Sequence, residues 1–297
     1  MGRTYRELLK EGISLLKSGG IADAPIDAEL LLLHIIGKPR SFLFLHGNDL
    51  CRAEDADRYA DLIDRRRRGE PAQYITGCQE FMGLEFRVNP SVLIPRQDTA
   101  TLVEKALEAA ENMPGALRIL DMCCGSGAIA VSMASFLPDV RVTACDISRA
   151  ALRTAGENAK RNGVSEKVEF LHSDMFSVFE KNAGPAGKPS FDLILSNPPY
   201  IRSDVIPTLQ REITEHEPAS ALDGGKDGLF FYRILAEKSW KYLKKEGMLF
   251  MEIGHDQAED VLSLFSSSGH YTDAGVIRDL AGLDRVVRCR PAASEDD

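Results

Sequence analysis

The sequence predicts an α/β protein in which a doubly wound, mostly parallel sheet follows a small N-terminal helical bundle and a β-hairpin linker. Two observations carry this prediction. Beyond Thr99, strand-like runs alternate with helical patterns, and the strand-like runs are apolar nearly throughout. Strands that alternate with helices pair in parallel, and strands covered by helices on both faces are apolar along their whole length. At 297 residues, the chain has room for a small domain joined to a larger one.

The N-terminal segment has the spacing of amphipathic helices. Apolar residues recur three and four positions apart at Tyr5, Leu8, Leu9, Ile13 and Leu16, and again at Ala56, Tyr59, Ala60 and Ile63. Residues 1–72 are therefore expected to form a helical domain. The arginine run at residues 65–68 closes its last helix. This run favours either a solvated helix end, where positive charge suits the helix dipole, or a contact with an acidic partner.

The pattern changes twice after this bundle. Short extended pieces separated by turn residues, QYITGCQEFMGLEFRVNPSVLIPR, predict a β-hairpin linker over residues 73–96. Over residues 97–291 the strands RILDM, VRVTACD, VEFLHSD, FDLILSN and MLFMEIG alternate with helical segments, which makes this span the predicted sheet domain. A loop is expected at residues 184–190, and the acidic tail at residues 292–297 is expected to be disordered.

Charge and cysteine content exclude several classes of protein. A net charge of -9 and a pI near 5.3 give no general attraction to nucleic acid, whose nonspecific binding depends on Lys and Arg. The six cysteines contain no CxxC pair and no histidine partners at ligand spacing, so no metal site is expected and the thiols are expected to be reduced. The charged N-terminal helix does not resemble a signal peptide, and no apolar run is long enough to span a bilayer. The sequence thus predicts a cytoplasmic protein without a membrane partner.

Polar residues follow the first three strands of the predicted sheet. Asp121 ends the first strand and leads into the turn Cys123-Cys124-Gly125-Ser126-Gly127, Asp146 ends the second, and Asp174 follows the third. In parallel α/β sheets, ligands bind beyond the carboxyl ends of the strands. Glycines in the turn let a ligand approach the backbone, Asp146 could accept from a ribose diol, and Asp174 could accept from an exocyclic amine.

Two alternatives remain for these positions. Gly125, Gly127 and Ala130 fit the pattern GxGxxA, which is typical of dinucleotide-binding enzymes. Each acidic residue taken alone is more often a helix cap or a turn residue than a ligand. The presence of three acids after three successive strands favours binding of a single nucleoside.

The segment LSNPPYI follows the fourth strand and places an amide and two prolines at the same edge of the sheet. The side-chain oxygen of Asn197 and the carbonyl oxygen of Pro198 could accept both hydrogens of a planar NH₂ group. Two such acceptors would stabilise positive charge that develops on the nitrogen. Tyr200 could stack on the planar group. The alternative is an edge strand that simply ends at Pro198 and Pro199.

Taken in order, Asp121, the glycine turn, Asp146, Asp174 and the NPPY motif resemble class I S-adenosylmethionine-dependent methyltransferases that act on amino nitrogens. The motif alone does not separate adenine N6 from a glutamine amide, because both present a planar NH₂ group. Outside the crevice, QYITGCQEFMGLEFRV, VLIPRQDTATLVE, DISRAALRTAGENAKRNG and EPASALDGGKDGL resemble the release-factor glutamine methyltransferase family, also called PrmC or HemK. This resemblance covers nearly the whole chain.

The resemblance implies a seven-stranded methyltransferase sheet, S-adenosylmethionine as cofactor, and release factors as protein substrate. The family methylates the amide nitrogen (N5) of the glutamine in the Gly-Gly-Gln motif by direct in-line transfer, and its helical domain would dock the release factor. The protein is expected to be a monomer, and nucleic acid is not expected as a substrate. Together with the strand-end positions, the resemblance gives the cofactor-binding set Asp121, Cys123, Cys124, Gly125, Ser126, Gly127, Asp146, Ile147, Asp174, Met175 and Asn197. The catalytic set is Asn197, Pro198, Pro199 and Tyr200.

The chain departs from the family pattern where Cys123 replaces the first glycine of the turn. If that position needs positive φ, cofactor affinity would suffer. Two competing functions stay open. One is an adenine-N6 methyltransferase acting on DNA or RNA, and the other is a binding module that has lost cofactor affinity through Cys123. The loop at residues 223–228 follows the NPPY motif and is a hypothetical lid over the target amide. Glu252 ends a strand and is interpreted as an entry into the next helix.

Overall fold

The structure is a computed structural model that describes residues 2–181 and 190–292. Its helices are α1 (Tyr5–Ser18), α2 (Ala24–Ile36), α3 (Arg40–His46), α4 (Ala53–Arg67), α5 (Ala72–Thr76), α6 (Thr99–Ala110), α7 (Ala128–Phe136), α8 (Arg149–Arg161), α9 (Ser177–Lys181), α10 (Arg211–His216), α11 (Phe230–Lys238) and α12 (Ala258–Ser268). Its strands are β1 (Cys78–Phe81), β2 (Leu84–Arg87), β3 (Leu117–Met122), β4 (Val140–Asp146), β5 (Val168–His172), β6 (Phe191–Ser196), β7 (Leu243–Glu252), β8 (Tyr271–Arg278) and β9 (Asp284–Pro291). Except for residues 190 and 292, the predicted loop and acidic tail lie outside the described residues.

The chain divides into two compact units, and the first is helical. It comprises residues 1–78 together with residues 210–216. A capping box starts α1: the Glu7 amide donates to Thr4 Oγ1 at 3.2 Å, and the Thr4 amide donates to the Glu7 carboxylate at 2.8 Å. Apolar residues of α1, α2 and α4 form one buried cluster at the centre of this unit. The predicted helical bundle is therefore present.

Residues 210–216 belong to the helical unit, although their position in the sequence suggests the sheet domain. The reason is an ion-pair cluster around Arg66, whose side chain is buried. Arg66 Nε lies 2.6 Å from Asp27 Oδ2, and Arg66 Nη2 lies 2.5 Å from Glu212 Oε2. A buried guanidinium needs paired carboxylates to offset its desolvation, so Glu212 is held on this unit.

The other arginines of the run at residues 65–68 also have carboxylate partners within the chain. Arg65 pairs with Glu70 at 2.5 Å, and both Arg67 and Arg68 pair with Asp64. This arrangement agrees with the solvated helix end and leaves little charge for an acidic partner.

A short helix and a hairpin precede the strands of the large sheet in the chain. The sequence indicated extended backbone from Gln73, whereas the structure has α5 there, with Pro71 before it and Gly77 in the left-handed region (φ 73°) after it. Proline at the start and glycine at the end are helix signals that outweigh the strand propensity of so short a segment. β1 and β2 then form the predicted hairpin. Met82 and Gly83 have φ of 52° and 75°, the signs required by a type I′ turn.

The second unit contains the predicted doubly wound sheet. Seven strands lie in the order β5-β4-β3-β6-β7-β9-β8. The first five pair in parallel, and β9 pairs antiparallel with both β7 and β8. The hairpin of β8 and β9 was not resolved by the sequence pattern, because β8 is a half-exposed edge strand without the continuous apolar run of a buried strand.

Both faces of this sheet are covered by helices. Residues such as Ile119 and Leu193 pack with α6, α7 and α8 in one apolar cluster. Their sequence neighbours Leu120 and Ile194 point to the other face and pack with α11 and α12 in a second cluster. Alternate side chains of a strand point to opposite faces, so two buried faces require the continuous apolar runs seen in the sequence. Within the described parts of the chain, no helix is long and apolar enough to cross a membrane.

Candidate active site

A cavity of about 410 Å³ opens beyond the carboxyl ends of β3, β4, β5 and β6. Ten of the residues proposed from the sequence line it, namely Cys123, Cys124, Gly125, Ser126, Asp146, Ile147, Asp174, Met175, Asn197 and Pro199. Four others do not appear in the lining, namely Asp121, Gly127, Pro198 and Tyr200. The sheet topology thus brings most of the predicted set to one cavity.

Asp121 and Gly127 determine the shape of the glycine turn. The Asp121 side chain is fully buried, and its Oδ2 accepts from the Ala130 amide at 3.0 Å, which anchors the first turn of α7. Burial raises the pKa of Asp121 to about 8. Gly127 has φ 80°, and a Cβ there would lie 3.0 Å from the Ala155 Cβ. Asp121 therefore acts on the turn by binding a backbone amide, and Gly127 acts through its own backbone conformation.

Asp146 is the most clearly oriented acceptor in the cavity. Its Oδ2 accepts from the Gly125 amide and its Oδ1 from the Ser148 amide, both at 2.8 Å. Each carboxylate oxygen has a second lone pair, so both can still accept from a ribose diol. Burial raises the pKa of Asp146, and the hydrogen bonds from Ser148 and Gly125 oppose that rise. These residues fit the ribose of S-adenosylmethionine.

Two sulfur-containing residues form a strained pair at the cavity wall. Cys123 and Met175 have φ of 65° and 46°, a region that side-chain-bearing residues rarely adopt. Cys123 Sγ lies 3.7 Å from Met175 Sδ. Burial raises the pKa of the Cys123 and Cys124 thiols well above their usual value, which keeps both protonated at neutral pH. Cys123 therefore adopts the positive φ that the family's glycine would accept without strain.

The NPPY motif is held by a chain of hydrogen bonds that begins at Asn197. Asn197 Nδ2 donates to Thr99 Oγ1 at 3.1 Å, and Thr99 Oγ1 donates to Glu252 Oε2 at 2.6 Å. The Thr99 hydroxyl has one proton, which it gives to the carboxylate, so its oxygen must accept from the Asn197 NH₂ group. Within the described residues no group donates to Asn197 Oδ1. This oxygen remains available as an acceptor on a residue that lines the cavity.

Tyr200 contacts the same carboxylate. Its hydroxyl donates to Glu252 Oε1 at 3.2 Å, and Glu252 is only 1% exposed. Burial raises the pKa of Glu252, and the hydrogen bond from Thr99, the charge of Arg285 and the hydrogen bond from Tyr200 oppose that rise. Tyr200 is not among the residues that line the cavity, and its stacking on the target group stays a prediction. Pro198 is buried.

Sequence reasoning missed Thr99 and gave Glu252 no role at the site. Thr99 is the first residue of α6, and Glu252 is the last residue of β7, next to β6 in the sheet. The sequence did contain a signal for Glu252, because it is an acidic residue near the end of the apolar run MLFMEIG. That run forms β7, which pairs with β6, the strand that precedes the NPPY motif. The Thr99 signal was weaker, because only the packing of α6 on this edge brings it to Asn197.

The loop at residues 223–228, interpreted from the sequence as a lid, is fixed to the chain that leaves the NPPY motif. The Gly224 amide donates to the Ile201 carbonyl at 2.8 Å, and the Ile201 amide donates to the Leu222 carbonyl at 3.0 Å. Gln257 Nε2 donates to the Tyr200 carbonyl at 3.0 Å. Asp223 lines the cavity. The hydrogen bonds of the loop and of Gln257 hold the backbone of Tyr200 and Ile201.

Further lining comes from residues that the sequence analysis did not assign to the site. Residues 91–96 contribute Ser91, Val92, Leu93, Pro95 and Arg96, and the start of α11 contributes Phe230 and Phe231. Phe230 is 53% exposed. Pro218 and Asp223 also belong to the lining.

The fold and the cavity define a class of protein, the S-adenosylmethionine-dependent methyltransferases. Residues 97–229 match the family model "Methyltransferase small domain", and residues 7–77 match "PrmC N-terminal domain". In overall fold the chain is similar to a crystal structure of the hMettl16 catalytic domain, with a TM-score of 0.56, 12% identity, and coverage of 82% of this chain and 84% of that one.

Two curated relatives identify the family more closely. The chain is 40% identical to a release factor glutamine methyltransferase from Clostridium botulinum, over 96% of this chain and 98% of the relative. It is 41% identical to a protein of the same name from Geobacter sulfurreducens, over 96% of this chain and 95% of the relative. The chain belongs to the release factor glutamine methyltransferase family. The predicted cofactor class and the methyltransferase fold are thereby confirmed.

Replacing Asp146 with asparagine is expected to weaken S-adenosylmethionine binding by about 10- to 100-fold, because one carboxylate acceptor becomes an NH₂ group facing a backbone donor. Isothermal titration calorimetry would measure the dissociation constant. Asp139→Asn is the matched control, since Asp139 is exposed at the opposite end of β4. Equal affinities for Asp146→Asn and the control would remove Asp146 from the cofactor site.

Proposed function

We propose that this protein transfers a methyl group from S-adenosylmethionine to the side-chain amide nitrogen (N5) of the glutamine in the Gly-Gly-Gln motif of peptide chain release factors. Membership of the family supports the substrate class. The single observation that carries the chemistry is the orientation of Asn197, whose NH₂ group is committed to Thr99 and whose Oδ1 is left as an acceptor. Asn197 lines the cavity beside the proposed cofactor residues.

The proposed chemistry requires few groups from the protein. When bound, S-adenosylmethionine would supply the methyl group from its sulfonium centre and leave as the neutral thioether, and the methylated amide nitrogen would release one of its two protons to solvent. Asn197 Oδ1 and the Pro198 carbonyl accept the two hydrogens of the target amide and orient its nitrogen. The negative ends of these two carbonyl dipoles also stabilise the positive charge that develops on the nitrogen, just as the positive ends of N–H dipoles stabilise negative charge in an oxyanion hole. Catalysis then consists of orientation and electrostatics, without a covalent enzyme intermediate.

The cofactor site in this proposal follows the sequence-derived set. Asp146 accepts from the ribose hydroxyls, Asp174 from the exocyclic amine, and Ile147 and Met175 cover the adenine. Their common position in the cavity lining supports these roles. Asp121 and Gly127 act through the shape of the turn, and Pro199 and Tyr200 hold the peptide that contains Asn197.

An adenine-N6 methyltransferase would need the same NH₂ grip, but it would also need basic surface for a nucleic acid backbone. The chain carries a net charge of -9, and the arginine run at residues 65–68 is paired with carboxylates of the same chain. We therefore assign a protein substrate. We further propose a cytoplasmic monomer, in keeping with a sequence whose six cysteines contain no CxxC pair.

We propose that the helical unit docks the release factor. The family resemblance implies the same role for the helical domain predicted over residues 1–72. Its helix α3 has no buried residues, and Phe44 and Leu45 are 90% and 78% exposed. Adjacent apolar side chains on the surface favour contact with a protein partner.

Labelled S-adenosylmethionine tests this function directly. We expect label on the purified native release factor and none on a factor whose Gly-Gly-Gln is changed to Gly-Gly-Ala, and none on duplex DNA or RNA. An excised Gly-Gly-Gln peptide should be labelled with a kcat/KM lower by about 10²-fold or more, because it lacks the docking contacts that orient the amide.

Each arm of this experiment contradicts a different part of the proposal. Label on nucleic acid alone would show that the NH₂ grip serves adenine. Label on the Gly-Gly-Ala factor would place the acceptor elsewhere. Equal kcat/KM for peptide and full-length factor would remove the docking role of the helical unit.

A further inference from the structure

We propose that Thr99 and Glu252 are positioning residues for the methyl acceptor: the buried carboxylate, acting through the Thr99 hydroxyl, fixes which end of the Asn197 amide faces the target nitrogen. The inference rests on the proposed function and assigns roles to two residues outside the NPPY motif. Its basis is the hydrogen-bond chain from Glu252 Oε2 through Thr99 Oγ1 to Asn197 Nδ2, with steps of 2.6 Å and 3.1 Å.

The direction of this chain follows from the chemistry of its end group. Both oxygens of Glu252 act as acceptors, Oε2 for the Thr99 hydroxyl and Oε1 for the Tyr200 hydroxyl, so the single proton of Thr99 is given to Glu252. The oxygen of Thr99 then accepts from Asn197, and the NH₂ end of that amide is committed. Without the hydroxyl, the amide could turn by 180° and present NH₂ to the NH₂ group of the substrate. Two donors facing each other cannot form a hydrogen bond, so the reversed amide would not hold the target.

Burying the carboxylate of Glu252 costs free energy that an apolar side chain at the same position would not cost. Glu252 is 1% exposed at the end of β7, and removing a carboxylate from water costs several kcal/mol unless its oxygens are hydrogen-bonded. Each oxygen contacts a separate residue: Oε2 accepts from Thr99 and Oε1 accepts from Tyr200. One carboxylate thus fixes both ends of the segment from Asn197 to Tyr200.

The sheet register explains why these groups meet. β6 pairs in parallel with β7, and Ser196 is opposite Met251. Asn197 is the first residue after β6 and Glu252 is the last residue of β7, so each directly follows one member of this pair at the same end of the sheet. α6 begins at Thr99 and packs against β7, which places the hydroxyl between the amide and the carboxylate. Hydrogen bonds in such a chain polarise one another, which strengthens Asn197 Oδ1 as an acceptor.

The test is a comparison of Thr99→Val, which removes the hydroxyl at nearly constant shape, with Thr99→Ser, which keeps it. We expect Thr99→Val to lower kcat for release-factor methylation by about 10- to 100-fold, because a poorly oriented amide misplaces the reacting nitrogen. Thr99→Ser should keep kcat within about 3-fold of wild type, since its hydroxyl can restore both hydrogen bonds. The dissociation constant for S-adenosylmethionine should change by less than about 3-fold in both variants, because neither loses a cofactor acceptor.

A double-mutant cycle separates positioning from general structural support. If Thr99 acts through Asn197, Thr99→Val should change the residual rate of Asn197→Ala by less than about 3-fold. Thermal unfolding of every variant checks the fold, and Thr99→Ala provides a second hydroxyl-free variant if Thr99→Val does not fold.

The outcomes distinguish this inference from the function on which it rests. A wild-type enzyme that does not methylate release factor would overturn both. An active wild-type enzyme whose kcat is unchanged by Thr99→Val would overturn the positioning role alone. The same conclusion would follow if Thr99→Ser were as impaired as Thr99→Val, or if Thr99→Val lowered the rate of Asn197→Ala as strongly as it lowers the wild-type rate.

Discussion

Replacing Asn197 with alanine is expected to lower kcat for release-factor methylation by about 10²- to 10³-fold, the usual cost of removing one preorganised group that stabilises developing charge. The alanine variant loses the Oδ1 acceptor, so only the Pro198 carbonyl remains to hold the target NH₂ group. The Thr99 hydroxyl and Glu252 would keep their own hydrogen bond, which is 2.6 Å long in the wild type. The loss should therefore fall on catalysis and leave the sheet edge intact.

Single-turnover transfer of a labelled methyl group measures this effect without interference from product release. The matched control is Asn112→Ala, because Asn112 is an exposed asparagine that does not line the cavity. Cofactor affinity, measured by calorimetry, should fall by less than about 10-fold in Asn197→Ala relative to the control, because Asn197 also belongs to the proposed cofactor set but its Oδ1 acts mainly on the target amide during transfer. A single-turnover rate for Asn197→Ala within about 3-fold of that of Asn112→Ala would show that this amide does not stabilise the transition state.

How far the sequence predicts this site depends on how its residues are brought together. Asp146 ends a strand, and Asp174 and Asn197 come shortly after strands, so a parallel sheet alone determines that the three meet at one edge. Thr99 reaches the site only because a helix packs on that edge, and no local pattern encodes such a contact. Glu252 was visible as an acid after an apolar run, but its partners depend on the neighbour relation of β6 and β7.

The fold shows the same division. Continuous apolar runs predict the buried parallel strands, because both faces of each strand are covered. The half-exposed β8 lacks that signal, and α5 is too short for a helical period to be recognised. Residues 210–216 join the helical unit through a buried ion pair between Arg66 and Glu212, which connects positions far apart in the sequence. Long-range polar contacts of this kind are not encoded by periodicity.

The second large effect is expected at Gly224, where alanine should lower kcat by about 10²-fold and destabilise the protein by about 1–3 kcal/mol. A Cβ at this position would lie 2.7 Å from the Tyr200 Cα, 2.8 Å from the Tyr200 carbonyl carbon and 2.9 Å from the Gly228 carbonyl oxygen. All three are backbone atoms, so no side-chain rotation can relieve the overlap. The peptide at Tyr200 must move, and Asn197 lies three residues before it in the same rigid, proline-containing segment.

Gly156→Ala is the matched control for this substitution, because it adds the same methyl group at a glycine inside α8 with no atom within 4 Å of the new Cβ. Alanine has a higher helix propensity than glycine, so this variant should be stabilised by about 0.5–1 kcal/mol with unchanged kcat. Urea unfolding gives the two free energies, and labelled methyl transfer gives the rates. If Gly224→Ala were as active and as stable as Gly156→Ala, the loop at residues 223–228 would not support the NPPY backbone. If it lost stability but kept its kcat, the loop would stabilise the fold without determining the position of Asn197.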